Sequence, residues 1–374
     1  MPTKNKPLKA LFIFGTRPEA IKLAPLILAL REKAQVEVCV TAQHREMLDQ
    51  VLGFFSIVPD YDLDVMRPDQ TLFGLTAHCL QLLEGVIKKS APGVVIVQGD
   101  TTTAFVGALA GFYSRTKVAH IEAGLRSFDK HSPFPEEINR LLVSRMADYH
   151  FAPTGKARQN LLDERVPEDN IFTVGNTVVD ALFAGLGIIE KKGLDFKGDF
   201  GGVDFSKRIV LVTGHRRESF GAPFEEICGA IREIAEGNDV EVVYPVHLNP
   251  NVRKHVFGLL SETKNIHLIE PLDYPRMIWL MNRCYLILTD SGGVQEEAPS
   301  LGKPVLVMRD VTERMEGVEQ GTALLVGTDR QRIVEATERL LNDKEAYEKM
   351  SRAKNPYGDG TAAERIAEIL TRLA

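Results

Sequence analysis

The sequence predicts an α/β protein built on two parallel, doubly wound sheets. Three observations carry that reading. Short β-rich runs alternate with amphipathic helical runs, which is the pattern of strand-helix-strand units. The alternation pauses in the turn-rich stretch Lys191 to Ser206, which holds Gly193, Gly198, Gly201 and Gly202, and beyond it the same unit starts again.

In the first half the strands are expected at Leu8 to Phe14, Val36 to Thr41, Val94 to Gln98 and Lys117 to Ile121, each followed by a helical pattern. Pro18 to Glu32 is one such helix. It places Ile21, Leu23, Leu26, Leu28 and Leu30 among polar residues, and Pro18 suits a first turn because its missing N–H has no partner there anyway. The second set of strands is expected at Arg208 to Thr213, Val240 to Pro245, Ile266 to Ile269, Leu286 to Thr289 and Val305 to Met308. We place the functional boundary near Gly175, giving domains 1–175 and 176–360. A loop from Asn355 to Gly360 leads into a last helical pattern, Ala362 to Leu373.

A chain of 374 residues, 44% of them hydrophobic, can bury the cores of two such domains. Its 45 Lys and Arg against 51 Asp and Glu leave a formal charge of -6, so the broad basic excess that attracts nucleic acid is absent. An anionic ligand must instead meet local cations. Cys39, Cys79, Cys228 and Cys284 are scattered through apolar stretches without Cys-x-x-Cys spacing, which argues against a disulfide framework or thiolate metal cluster and for a reducing, cytoplasmic compartment. The apolar run Leu11 to Phe14 is too short for a signal-peptide core, and no run approaches the ~20 residues that span a bilayer.

Ligands of open parallel sheets bind beyond the carboxyl ends of the strands, where loops and helix N-termini converge. The polar residues gather there. The first strand ends in Gly15-Thr16-Arg17-Pro18-Glu19, with Lys22 one turn on; the third in Gly99-Asp100-Thr101-Thr102-Thr103; the fourth in Glu122-Ala123-Gly124-Leu125-Arg126. In the second half the corresponding ends are Gly214-His215-Arg216-Arg217-Glu218 and Asp290 to Glu297. Ser291 with Gly292 and Gly293 at a helix start offers free N–H groups to a phosphate, and Arg17, Lys22 and Arg314 could add charge to a diphosphate. Plainer roles stand beside these: Asp100 and Ser291 as helix caps, Glu122 and His215 as satisfied polar residues, Lys22 as a solvated cation, and Glu136 and Glu137 as first-turn carboxylates after Pro135. Convergence of carboxylates, an imidazole and cations in both halves weighs against them. The sequence lacks a P-loop, a Gly-x-Gly-x-x-Gly after a strand, His-Glu-x-x-His and Gly-x-Ser-x-Gly, and its nine histidines show no metal-ligand spacing.

At these residues the sequence resembles the bacterial non-hydrolysing UDP-N-acetylglucosamine 2-epimerases. The motifs run the length of the chain: Phe14 to Lys22, Thr41 to Leu48, Gln98 to Thr103, His120 to Arg126, Thr213 to Phe220, Tyr244 to Pro250 and Thr289 to Arg309. The resemblance implies a GT-B type fold, two Rossmann-like domains with the active site in the interdomain cleft and a C-terminal helix, 361–374, that packs back onto the first domain. It implies a homodimer that converts UDP-N-acetylglucosamine to UDP-N-acetylmannosamine for surface polysaccharides, eliminating UDP to give 2-acetamidoglucal and adding it back, with no cofactor and no metal. It assigns catalysis to Asp100, Glu122, Glu136 and His215, and UDP binding to Arg17, Lys22, Leu272, Met277, Ser291, Gly292, Gly293, Glu297 and Arg314. An activating second substrate molecule is implied at Gln43, Gln70, Glu136, Arg216 and His247, with Asp69 standing where some members have arginine. The rival readings are a hydrolysing epimerase or GT-B glycosyltransferase acting on the same nucleotide sugar, and a UDP-sugar sensor without catalysis.

Overall fold

Parallel pairing runs through both sheets of the computed structural model, which describes residues 8–42, 45–67, 70–214 and 222–373. The chain divides into two units, Met1–Ala184 with Tyr357–Ala374, and Gly185–Pro356. Each carries one sheet.

Unit one holds β1 (Lys9–Phe14), α1 (Arg17–Arg31), β2 (Gln35–Val40), α2 (Arg45–Phe54), β3 (Tyr61–Asp62), α3 (Leu72–Ser90), β4 (Val94–Gln98), α4 (Thr102–Tyr113), β5 (Lys117–Ile121), α5 (Glu136–Met146), β6 (Tyr149–Ala152), α6 (Gly155–Asp163) and β7 (Ile171–Thr173). The strand order is β3-β2-β1-β4-β5-β6-β7. Leu11, Ile13, Val95 and Val97 pack with Cys79, Leu83 and Val106 in one core cluster. Two glycines set how closely α4 lies on the sheet. A Cβ on Gly107 would come within 2.9 Å of Val97, and one on Gly111 within 2.8 Å of Val118.

The helix α7 (Thr177–Lys191) carries the chain from one unit into the other. Unit two then adds β8 (Arg208–Thr213), α8 (Ala222–Gly237), β9 (Val240–Pro245), α9 (Pro250–Leu260), β10 (Ile266–Ile269), α10 (Tyr274–Arg283), β11 (Leu286–Thr289), α11 (Gly292–Glu297), β12 (Val305–Val307), α12 (Met315–Glu319), β13 (Ala323–Leu325), α13 (Arg330–Asn342) and α14 (Lys344–Ser351), in strand order β10-β9-β8-β11-β12-β13. Val210, Val212, Leu286 and Leu288 share a core with Ile227, Ile231 and Ile333. Both follow the Rossmann-like order 3-2-1-4-5-6, with a seventh strand added in unit one, as the GT-B resemblance implies. The last helix, α15 (Ala362–Leu373), belongs to unit one and packs on α1.

Every strand expected from the sequence forms, with ends shifted by a residue at most. The short strands β3, β6, β7 and β13 were not expected, and they lie in the outer parts of their sheets. The stretch Lys191 to Ser206 is anchored in unit two: Phe200 stacks on Trp279 with centroids 5.4 Å apart, and Phe196 and Phe205 meet the same ring edge-on. All four cysteines are buried and free. Burial pushes the thiols of Cys79, Cys228 and Cys284 up to about 12 and that of Cys39 higher still. No described helix is long and apolar enough to cross a membrane.

Asp180 on α7 accepts the N–H of Ala363 at 2.7 Å, tying the start of α15 to the outgoing helix. Burial pushes its carboxyl up to about 6, against the hydrogen bonds from the start of α15, and its Oδ2 has no partner. A folded-state pKa above the unfolded one favours the native state below the unfolded value, and that advantage is lost as pH rises to about 6. Asp180→Asn keeps the acceptor and removes the titration. The melting temperature of the variant relative to wild type is therefore expected to climb between pH 4 and 7, by the equivalent of about 2–3 kcal/mol. A pH-independent difference in melting temperature contradicts this account.

Candidate active site

The strand order reverses between β1 and β4 in unit one and between β8 and β11 in unit two. Helices leave on opposite faces at such a point and open a crevice at the carboxyl ends.

In unit one the turn after β1 is held by Glu19, a fully buried carboxylate. It accepts the N–H groups of Gly15 at 3.1 Å and Thr16 at 2.8 Å, and Thr101 donates its hydroxyl at 2.7 Å from the turn after β4. Burial raises the Glu19 carboxyl and these four donors oppose the rise, that of Thr16 counting through both its N–H and its hydroxyl. Thr16 closes a capping box with Glu19 at the start of α1. Beside them Thr41 and Thr103 share a hydroxyl hydrogen bond of 2.9 Å.

Glu122, at the carboxyl end of β5, sits at φ +63°, a left-handed conformation that costs a residue with a side chain of order 1–3 kcal/mol and collects at functional sites. Lys22 donates to its Oε1 at 2.5 Å, Asn176 to the same oxygen at 2.8 Å, and Gln98 to Oε2. Lys22 is thus paired on buried ground, and the solvated reading is corrected. Asp100 does not cap α4; Thr101 does, accepting the N–H of Ala104 at 3.0 Å. The Asp100 carboxylate is instead paired with Arg140, whose other arm meets Glu137 at 3.3 Å. Glu137 binds the N–H groups of Ser127 and Phe128. One turn N-terminal to Arg140, Glu136 opens α5 with a buried Oε2 that has no hydrogen-bond partner. His120 lies beneath, donating through Nε2 to the carbonyl of Gly99 at 2.8 Å; burial pushes it down to about 3, which keeps it neutral.

In unit two Ser291 precedes α11 without a side-chain cap, its N–H turned to Thr289 Oγ1 at 2.9 Å. The cap reading of Ser291 falls with that. The Arg314 guanidinium lies over Gly292, where a Cβ would come within 2.8 Å of it, and is held by Glu296 at 2.9 Å. Glu313, 3.6 Å from the same guanidinium, is held down to about 2: burial works the other way, and Arg309 and Arg314 outweigh it. Glu297 is buried, with the Tyr274 hydroxyl at a long 3.5 Å, and Gly293 lies beside it. Leu272 and Met277 are half-buried on either side of the first turn of α10.

Unit one therefore brings Lys22 to Glu122 and Asp100 to α5, and unit two brings Arg314 to Gly292. Arg17 opens α1, half-buried. Gln70 accepts the N–H of Arg67 at 3.3 Å, and His247, exposed, accepts that of Asn249 at 3.1 Å. His215, Arg216, Gln43 and Asp69 lie outside the described residues. The sequence reading missed Arg140 and Asn176. Arg140 is one turn from Glu136, a usable signal; Asn176 follows the unexpected strand β7. Among the described residues no group of three or more His, Cys, Asp or Glu is placed to hold a metal ion.

A Cβ on Gly15 would fall 2.0 Å from Thr41 Oγ1 and 2.8 Å from Thr103 Oγ1. Gly15→Ala is expected to lose at least about 1–3 kcal/mol in denaturant unfolding, as overpacking does. Thr41→Ala removes the nearer clash, so the double variant should recover part of the loss. Additive effects of the two substitutions would contradict the packing argument.

A profile of the UDP-N-acetylglucosamine 2-epimerase family matches residues 28–371. The Escherichia coli K12 protein named UDP-N-acetylglucosamine 2-epimerase is 56% identical over 369 residues, covering 97% of this chain and 98% of its own. A crystal structure of the Neisseria meningitidis UDP-GlcNAc 2-epimerase bound to UDP-GlcNAc superposes with a TM-score of 0.90 at 48% identity, over 98% of this chain and 100% of that one. The Methanocaldococcus jannaschii enzyme, in complex with UDP-GlcNAc and UDP, reaches 0.81 at 39% identity with the same coverage.

Proposed function

The chain belongs to the UDP-N-acetylglucosamine 2-epimerase family, and on that premise we propose that it interconverts UDP-N-acetylglucosamine and UDP-N-acetylmannosamine by eliminating UDP and adding it back. The hydrogen on carbon 2 is weakly acidic. A base takes that proton while the carbon 1–oxygen bond breaks, its electron pair leaves with UDP, and a double bond joins carbons 1 and 2 of 2-acetamidoglucal. Return of UDP to carbon 1, with a proton delivered to the other face of carbon 2, completes the inversion.

The observation that carries the reading is the Lys22–Glu122 pair at the end of β5. It sets a carboxylate for proton transfer beside a cation for the departing oxyanion, and each kind of group is worth about 10²-fold or more when well placed. Asp100, Glu136 and His215 complete the proton-transfer set, since two faces of the ring need acid or base. Arg17, Lys22 and Arg314 answer the diphosphate, Ser291, Gly292 and Gly293 offer it N–H groups, Glu297 offers an acceptor to the ribose hydroxyls, and Leu272 and Met277 flank the uracil. On this reading residues 1–175 and 361–374 supply most of the proton chemistry and 176–360 hold UDP. A homodimer working in the cytoplasm, making a precursor for surface polysaccharides without a cofactor, fits the same reading. A second substrate molecule at Gln43, Gln70, Glu136, Arg216 and His247 would activate it.

Arg314→Ala removes a charge-assisted contact worth about 1.5–3 kcal/mol, so UDP affinity measured by calorimetry should fall roughly 10- to 100-fold. Unchanged affinity would remove Arg314 from the diphosphate site. Turnover in heavy water tests the chemistry. Elimination exchanges the carbon 2 hydrogen with a protein base, so the product should carry deuterium there without added nicotinamide, and traces of UDP and 2-acetamidoglucal should leak. Product that keeps its original hydrogen overturns the mechanism, and UDP with free N-acetylmannosamine as the final products points to hydrolysis.

A further inference from the structure

We infer that Asn176 is a positioning residue for Glu122, holding that carboxylate against the backbone where the chain passes between units; this rests on the catalytic reading of Glu122. Asn176 is buried at the start of α7. Its four polar groups are each committed, the backbone carbonyl accepting the N–H of Val179 at 3.1 Å. Nδ2 donates to Glu122 Oε1 at 2.8 Å, Oδ1 accepts the N–H of Val178 at 3.1 Å, and the backbone N–H donates to the carbonyl of Tyr357 at 2.6 Å. The Val178 contact fixes which end of the amide faces the carboxylate. Tyr357 is the first residue after the chain returns from unit two, and α7 is the helix by which it leaves. The two segments touch here. A Cβ on Gly175, at φ +96°, would lie 3.3 Å from Gly358 Cα, and one on Gly358, at φ +143°, would lie 3.4 Å from the Asn176 nitrogen.

The chemistry gives Asn176 a task that Lys22 cannot perform. Both donate to the same carboxylate oxygen. Lys22 is also a cation that an arriving diphosphate attracts, and as it turns to the diphosphate Glu122 loses its charged partner while it must keep its aim at carbon 2. Asn176, neutral and fixed at its other end, holds Oε1 through that exchange, with Gln98 on Oε2. It changes no charge.

The test compares Asn176→Asp, Asn176→Ser and Glu122→Gln in the full chain, with melting curves to establish folding. Asn176→Asp keeps the acceptor for Val178 and turns a like charge on Glu122. Its kcat should fall about tenfold or more with KM within about threefold, and the acid limb of the kcat/KM profile should move to higher pH. Asn176→Ser removes the donor without adding charge, so kcat should fall and the limb should rise less than in Asn176→Asp. A merely structural role lowers the melting temperature and leaves the kcat of the folded Asn176→Ser at the wild-type value. Inactive Glu122→Gln together with wild-type kcat and limb in the Asn176 variants overturns the proposal alone; an active Glu122→Gln overturns the reading of Glu122, and the proposal with it. If Asn176→Asp does not fold, the kcat and KM of Asn176→Ser decide: an unchanged kcat overturns the proposal.

Discussion

A parallel sheet sends every strand-to-helix turn to one edge, because each connection must run back across a face before the next strand begins. Two sheets of this kind account for most of what the protein places where. At the point in unit one where the order reverses, the turns after β1 and β4 have no neighbouring connection between them, and they must be held by their own residues. Glu19 does this from below, binding two backbone N–H groups of one turn and a hydroxyl of the other. Unit two uses a different tie at the matching place: Thr213 and Thr289, at the ends of β8 and β11, share a hydrogen bond of 2.6 Å.

Charge is balanced within each unit. Lys22 stands against Glu122, Arg140 against Asp100 and Glu137, Arg314 against Glu296. A chain with formal charge -6 has carboxylates to spare, and each pair keeps a cation in place without leaving it bare. An anionic ligand entering such a site competes with a carboxylate already there. On the proposed mechanism the exchange would also alter the carboxylate left behind, coupling the binding of UDP to the state of the base.

The fold was legible because strands buried on both faces leave long apolar runs, and helices laid over them leave a period of 3.6. The run at Val94 to Gln98 is of this kind, and the structure matches it and Lys117 to Ile121 residue for residue. The outer strands β7 and β13 are three residues each, too short for any period to register. Site residues inside strand-end motifs were legible by the same logic. Asn176 was not, since an asparagine after an unseen strand looks like ordinary surface until tertiary contact gives it partners, whereas Arg140 had a signal in its place one turn from Glu136. Asp100 shows the opposite error. Its position suits a cap, yet the cap is Thr101, and only the three-dimensional placement of Arg140 shows what the carboxylate does.

The buried thiols have a use of their own. Cys39 and Cys79 lie in unit one, Cys228 and Cys284 in unit two, all shielded by core packing and all poorly ionised. A thiol reagent reacts with the thiolate and needs access to it, so in the native protein each sulfur is silent until the structure around it opens. Alkylation resolved by peptide mapping then becomes a clock for each half of the molecule separately, with no label to introduce and no residue to change. It would report whether the two halves breathe together or apart.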